Sequence, residues 1–354
     1  MPSQQIIPAC SRIIQQQFMP HIPARWQKQF RFGVQALTLK PFASLASNAR
    51  QTVANAATAG TKMDRLICNA GLAQTLAGAI RRLGIIHPNS LVNCDHSTFN
   101  GLAAFVGAIQ TKKGRALPCL VATTYDHNLP AHTDAPKRKQ QMRAERKKLD
   151  YTLHEQVRTS ITAFAGQLGF WPRFVFDRGF MSIGLVQLFT RHQAVFYVRL
   201  KAGQFVELSG QKFRARELEH SDTRITLAGI ALRVIRSDQP DDDNEPWYIL
   251  TSDMHSKRRK IIEIYYHRFE IEETFKDLKH VLDLVRTRLM KPVSLELLLW
   301  FTGLSFILGY LSGGTSCTKR QTHPKKRLSW YRQFFEALQR EVYGPAADLI
   351  TGGL

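Results

Sequence analysis

The stretch Tyr265-Tyr266-His267-Arg268-Phe269-Glu270-Ile271-Glu272-Glu273-Thr274-Phe275-Lys276-Asp277-Leu278-Lys279 decides how the chain is read. It lies in a longer run, 257–289, without Gly or Pro, which predicts one uninterrupted helix. At about 100° per residue, Tyr265, Arg268, Glu272, Lys276 and Lys279 share roughly 80° of arc. Ile264, Ile271, Phe275, Leu278, Leu282 and Val285 fall on a neighbouring arc. The helix therefore pairs an apolar docking stripe with a stripe of phenol, guanidinium, carboxylate and ammonium groups. The ion pairs Arg268–Glu272 and Glu272–Lys276, one helical turn apart, account for the charged stripe without any function. A chemical task for Glu272 needs partners from elsewhere in the chain.

Length and charge narrow the classes. A chain of 354 residues favours two or three structural units. The formal net charge of +21 points to a polyanionic partner, nucleic acid first and a membrane surface second. The basic residues are spread along the whole chain, which suits an extended footprint. Cys10, Cys68, Cys94, Cys119 and Cys317 are scattered and form no CxxC pair, so they read as reduced thiols rather than zinc ligands or a disulfide framework. No signal peptide is evident. The uncharged run Leu297 to Leu311 is about five residues short of a bilayer span and reads as a buried core helix.

Taken in order, residues 1–87 read as a basic helical region that binds DNA or dimerises, with the small-residue run Ala54 to Gly60 as a loose joint. From Ser90 the texture changes to strands. Leu91 to Asp95, Leu102 to Gln110 and Leu117 to Tyr125 form an antiparallel meander. The basic run Lys137 to Lys148 leads into a helical pattern through Leu168. Arg173 to Asp177 is a strand ending on an acid, followed by a helix from Ser182 and a strand from Ala194 to Leu200. Strand, helix, strand implies parallel pairing in a sheet covered on both faces. Residues 202–251 alternate as short strands, an all-β insertion carrying the acidic loop Asp238 to Glu245. The C-terminal tail, 313–354, is basic and then helical from Ser329 to Val342.

The fold class expected is α/β: a ribonuclease-H-like mixed sheet over 88–201 and 252–312, flanked by helices, with the β insertion and the helical N-terminal region. In such a sheet the strands carrying Asp95 and Asp177 are neighbours, and Glu272 arrives from a helix packed beside them. Three hard oxygen ligands around one cleft suit two Mg²⁺ ions, or Mn²⁺, set for in-line phosphoryl transfer. Asp95 before His96-Ser97-Thr98 and Asp177 before Arg178-Gly179 also read as turn or cap formers. Asp283 shares the face of Glu272 about 16 Å farther along and is a rival third acid.

These residues bear a family resemblance. The chain resembles DDE transposases of bacterial insertion sequences, the group marked by a Tyr-x2-Arg-x3-Glu-x6-Lys signature, here Tyr265, Arg268, Glu272 and Lys279. Asp177-Arg178-Gly179-Phe180 is similar to the block around the family's second aspartate, and Cys94-Asp95-His96-Ser97-Thr98 to that around the first. The resemblance covers about residues 88 to 312. It implies metal-dependent DNA strand cleavage and strand transfer. Asp95, Asp177 and Glu272 would be catalytic and hold the metal ions. Tyr265, Arg268 and Lys279 would contact DNA phosphate, with Lys276 placed to join them. The partners implied are double-stranded DNA, as terminal inverted repeats and target, and a second copy of the chain in a homodimeric DNA complex, with no membrane. The place implied is the bacterial cytoplasm, on the nucleoid when bound. Two alternatives share the fold: a structure-specific nuclease and an inactive DNA-binding relative. A membrane-associated basic protein lies outside it.

Overall fold

The first half of the strand β1 (Leu91–Phe99) has partners on both sides, and this placement organises the fold. It pairs antiparallel with β2 (Leu102–Ile109) through the tight turn Asn100–Gly101, both residues at positive φ (49° and 93°). β2 continues antiparallel into β3 (Leu117–Tyr125). On its other edge β1 pairs parallel with β4 (Arg173–Phe176), which pairs parallel with β5 (Phe196–Leu200). Apolar, β-branched and aromatic runs with both faces buried are what such central strands require. The structure is a computed structural model and describes residues 6–38, 56–129, 136–149, 152–240, 246–281, 284, 289–312, 331, 333, 334, 337 and 338.

Five more strands extend the same sheet. β6 (Phe205–Leu208), β7 (Gln211–Arg214), β8 (Asp222–Leu227), β9 (Ile230–Pro240) and β10 (Pro246–Thr251) follow in sequence. The spatial order is β3-β2-β1-β4-β5-β10-β9-β8-β6-β7. The first five strands have the order and pairing of the expected ribonuclease-H-like sheet. The strands of the 202–251 region continue that sheet through β10, which pairs antiparallel with β5.

Helices cover both faces. The α1 helix (Ile6–Ile13), α2 (Ala24–Gly33), α3 (Ala56–Ile67) and α4 (Ala70–Arg82) form the N-terminal region. The α5 helix (Lys137–Lys147) is followed by α6 (Leu153–Leu168), so the helical pattern expected from Lys137 through Leu168 is interrupted. A capping box at Thr152 and Glu155 restarts it, and Gly169 at φ 75° ends it. The α7 helix (Ile183–Arg191), capped by Ser182, links β4 to β5. One core, with Phe174, Phe176, Phe189 and Phe196, lies on the α7 side. A smaller one, with Val175, Tyr197, Ile249, Ile261, Ile264 and Tyr265, lies on the other.

Four expectations are corrected. The run 257–289 is not one helix: α8 (Arg258–Tyr266) gives way to a turn at His267 and Arg268, then α9 (Phe269–Lys276) and a π turn (Asp277–Val281). The cause is tertiary. Gln110 donates to the Ile264 carbonyl at 3.0 Å and Asn93 to that of His267 at 2.9 Å. The N–H groups of Arg268, Glu270 and Ile271 then bond three residues back, to Tyr265, His267 and Arg268. Second, Asp95 is inside β1 rather than at its end, because β2 pairs with β1 as far as Phe99. Third, the small-residue run is not a loose joint from Ala56 on, since α3 begins there; Ala54 and Asn55 lie outside the described residues.

Fourth, the apolar helix α10 is longer than expected, Pro292–Leu311, with Pro at its first turn. Its 20 residues are long and apolar enough to cross a membrane, but 83% of its most apolar window is buried inside the protein. Asp283, most of the loop 238–245 and most of the C-terminal tail lie outside the described residues. Within that tail, Tyr331 and Phe334 are helical and buried.

Candidate active site

The parallel ladder between β1 and β4 ends at the pair Cys94 and Phe176. Asp95 and Asp177 are therefore the next residue of each strand, carried on the face that α8 and α9 cover. Asp177 starts a single 3-10 turn, Arg178–Phe180, with the Phe180 N–H donating to the Asp177 carbonyl at 3.1 Å. Phe180 locks the turn: its ring stacks on His96 with centroids 4.9 Å apart and packs on Phe176 at 5.7 Å. The sequence Asp-Arg-Gly-Phe thus sets the acid at the sheet edge by burying the phenyl ring below it.

Glu272 completes the set from α9. The guanidinium of Arg268 connects all three acids. Its Nη2 lies 2.7 Å from Glu272 Oε1 and 4.0 Å from Asp177 Oδ1, and its Nη1 lies 3.9 Å from Asp95 Oδ2. Arg268 is only 4% exposed, and its guanidinium packs over the Phe269 ring at 4.7 Å. Burial opposes its charge, but Tyr265, Glu272, Asp177 and Asp95 outweigh that and raise its pKa. Burial pushes the Asp95 carboxyl up to about 6, against the opposing pull of Arg268 and of the His96 N–H, which donates to it at 2.8 Å. Like charge on Glu272 and Asp177 adds to the rise.

The other expected contacts are distributed differently. Tyr265 is buried, not on an exposed stripe; its hydroxyl donates to Asp177 Oδ1 at 3.4 Å, and its ring meets Trp247 edge-on at 5.2 Å. Burial raises its pKa. Lys279 is partly buried, its ammonium 5.6 Å from the Phe99 ring centroid. Burial lowers its pKa while Asp95 opposes. Lys276 is exposed and pairs with Glu273, not with Glu272 as the helical spacing suggested. The Arg268–Glu272 pair is present.

Several residues that hold the site were not singled out in the sequence. Asn93 and Gln110 bend the helix that carries Glu272. Glu270, 5% exposed, accepts the N–H groups of Thr111 and Gly114 and pairs with His267 at 3.3 Å. Arg199, two residues beyond Tyr197 on the same face of β5, is buried and acts electrostatically on Tyr265. A lone arginine inside the apolar run Phe196 to Leu200 was the available signal.

The donor set fits a hard divalent cation. Asp95, Asp177 and Glu272 all offer carboxylate oxygens to the guanidinium, the hard donors that such an ion takes. Among the described residues no group of three His, Cys, Asp or Glu side chains is already spaced around an ion. Arg268 lies between the acids instead, and a positive charge at their centre is what their arrangement accommodates.

Residues 140–308 match the family described as the transposase DDE domain. The match spans just under half of the chain, and over that span the chain is similar to a transposase DDE domain. The matched span holds Asp177, Tyr265, Arg268, Glu272, Lys276 and Lys279, and begins after Asp95. Among solved structures, the piggyBac transposase synaptic complex with hairpin DNA is similar, at 9% identity and a TM-score of 0.41, over 96% of this chain and 78% of that one. That likeness is too slight to support a functional argument. No curated protein matches the chain.

Proposed function

We propose that the protein is a DNA transposase that cleaves and joins DNA strands at the ends of an insertion sequence. The observation that carries this is the convergence of Asp95, Asp177 and Glu272 on one guanidinium, at the end of a parallel strand pair, in a chain similar over residues 140–308 to a transposase DDE domain. Members of the family generally depend on a divalent metal. Asp95, Asp177 and Glu272 are the residues proposed to hold Mg²⁺ or Mn²⁺, as two ions. Bound there, the metal would polarise the scissile phosphate and lower the pKa of the attacking water or hydroxyl.

The chain's own residues do the rest in this reading. The rigid sheet fixes two acids, and α9 brings the third against them. The Tyr265 hydroxyl orients Asp177. Lys276 and Lys279, with Arg268, receive DNA phosphate: lysine as a point charge, arginine as a fork. The charge of +21 supports an extended double-stranded DNA partner, the terminal inverted repeats and the target. A homodimer on DNA in the bacterial cytoplasm completes the proposal.

The test uses a supercoiled plasmid carrying the DNA that flanks the coding region. Wild-type protein should nick it with Mg²⁺ and join the released ends to a second plasmid. Asp177→Asn and Glu272→Gln should bind the same DNA and leave it intact. Nicking by either variant at the wild-type rate would remove the acids from the reaction. Nicking by the wild type without joining would make the protein a nuclease.

A further inference from the structure

Arg268 is a buried cation placed where the three acids converge, and the geometry gives it a second task. Its guanidinium contacts Glu272 directly and stands within 4.0 Å of Asp177 and Asp95. Its buried Nε has no hydrogen-bond partner among the described residues, so the side chain is held by the acids and by the Phe269 and Tyr265 rings. Lys279 also interacts with Asp95, but its ammonium lies over the Phe99 ring.

We infer that Arg268 is the resident counter-ion of the acid set and competes with divalent metal for it. This rests on the reading of Asp95, Asp177 and Glu272 as metal ligands. A metal ion sits about 2.0–2.2 Å from carboxylate oxygens. Bound to Glu272 Oε1, it would lie against the Nη2 group that already occupies that oxygen at 2.7 Å. The formal charges point the same way. Three carboxylates and one guanidinium leave −2, which one divalent ion cancels. A second ion then leaves the site positive unless an anion enters with it. Metal loading therefore drives the guanidinium off Glu272, and a DNA phosphate is the anion that can take it up. Metal and DNA phosphate consequently assist each other's binding, and by linkage the assistance is mutual.

The test is Mn²⁺ binding to the full chain without DNA, followed by electron paramagnetic resonance, together with thermal melting. Arg268→Gln should bind Mn²⁺ roughly ten- to a hundred-fold more tightly than wild type, the range by which groups around a metal site tune affinity. Metal-free, it should melt below wild type, yet gain more in Tm from Mn²⁺. A purely structural arginine would lower Tm and leave the Mn²⁺ gain unchanged. Equal or weaker Mn²⁺ binding by Arg268→Gln overturns the inference. Absence of Mn²⁺ binding in both proteins, or binding that survives Asp177→Asn and Glu272→Gln, overturns the metal-site reading itself. Should Arg268→Gln not fold, the wild-type Arg268 Nε–H resonance, assigned with Arg268→Lys, decides. It should move with Mg²⁺ at the binding midpoint, and a resonance that stays fixed overturns the competition.

Discussion

The carboxylate of Glu270 accepts the backbone N–H of Thr111 at 2.8 Å. It also accepts that of Gly114 at 3.2 Å. Beside it, Arg115 Nε donates to Asp277 at 2.5 Å, and the Ala116 N–H donates to the Thr274 hydroxyl at 3.0 Å. The tip of the β2–β3 hairpin is thereby fastened to one side of α9, while Glu272, two residues from Glu270, projects to another. The hairpin sets where along its axis the helix rests, and so where Glu272 meets the aspartates.

Replacing Glu270 should separate these effects. Glu270→Ala removes the acceptor of two backbone N–H groups, of which that of exposed Gly114 can turn to water, and should cost about 1–3 kcal/mol of stability in urea unfolding. Mg²⁺-dependent nicking should fall much further than DNA affinity. A variant as stable as wild type would mean the fastening contributes nothing.

Acid should weaken the protein through Asp253. This buried carboxylate accepts the Tyr197 hydroxyl at 2.7 Å and the N–H groups of Ser256 at 2.9 Å and His255 at 3.1 Å. Burial alone would raise its pKa; the hydrogen bonds more than offset that and hold it at about 2. A carboxyl depressed in the folded state stabilises above its unfolded pKa of about 3.9 and loses that contribution as pH falls through the folded value. Asp253→Asn should therefore be about 2 kcal/mol less stable at pH 7. The gap between it and wild type, followed by denaturant melts, should close between about pH 4 and pH 2. A gap constant with pH would refute the assignment.

Phosphate contact by the lysines has a thermodynamic signature. Lys276→Ala and Lys279→Ala should each reduce the slope of log affinity against log salt by about one. Filter binding to duplex DNA over a range of salt measures it. An unchanged slope would remove that lysine from the DNA footprint.

How far the sequence reached depends on the range of the forces involved. The ordered strands, the parallel unit around α7 and the Asp-Arg-Gly-Phe turn follow from local pattern, and they were legible. The acids themselves were legible as residue types, though Asp95 lies inside a strand whose length is set by β2 rather than by its own run. The bend at His267 was not legible. No Gly or Pro marks it, and the amides that cause it come from Asn93 and Gln110, 174 and 154 residues from their acceptors. The charged stripe was read from helical angle alone, which cannot tell that Tyr265 and Arg268 face inward. The uncharged run from Leu297 understates α10, which extends back past Glu296 to Pro292. Glu296 lies partly buried within the helix, and burial raises its pKa.

The N-terminal helices should be sensitive to packing against α10. A Cβ on Gly33 would lie 2.3–2.8 Å from three Phe301 ring atoms, so α2 approaches α10 at a distance only glycine allows. Gly33→Ala should cost about 1–3 kcal/mol in urea unfolding. An unaffected midpoint would show that α2 is not docked there.

That close approach bears on how the gene can be cut and recombined. The α10 helix is dressed by α1, α3, α4 and the turn at Val34–Thr38. Expressing only residues 140–308 would strip this cover together with β1 to β3, and leave α10, cut short at Leu308, without its apolar neighbours. Such a fragment should aggregate through that exposed apolar surface. The front of the chain is thus no interchangeable cassette. Any shuffling that gave this domain a new N-terminal region would have to bring a replacement coat for α10 with it.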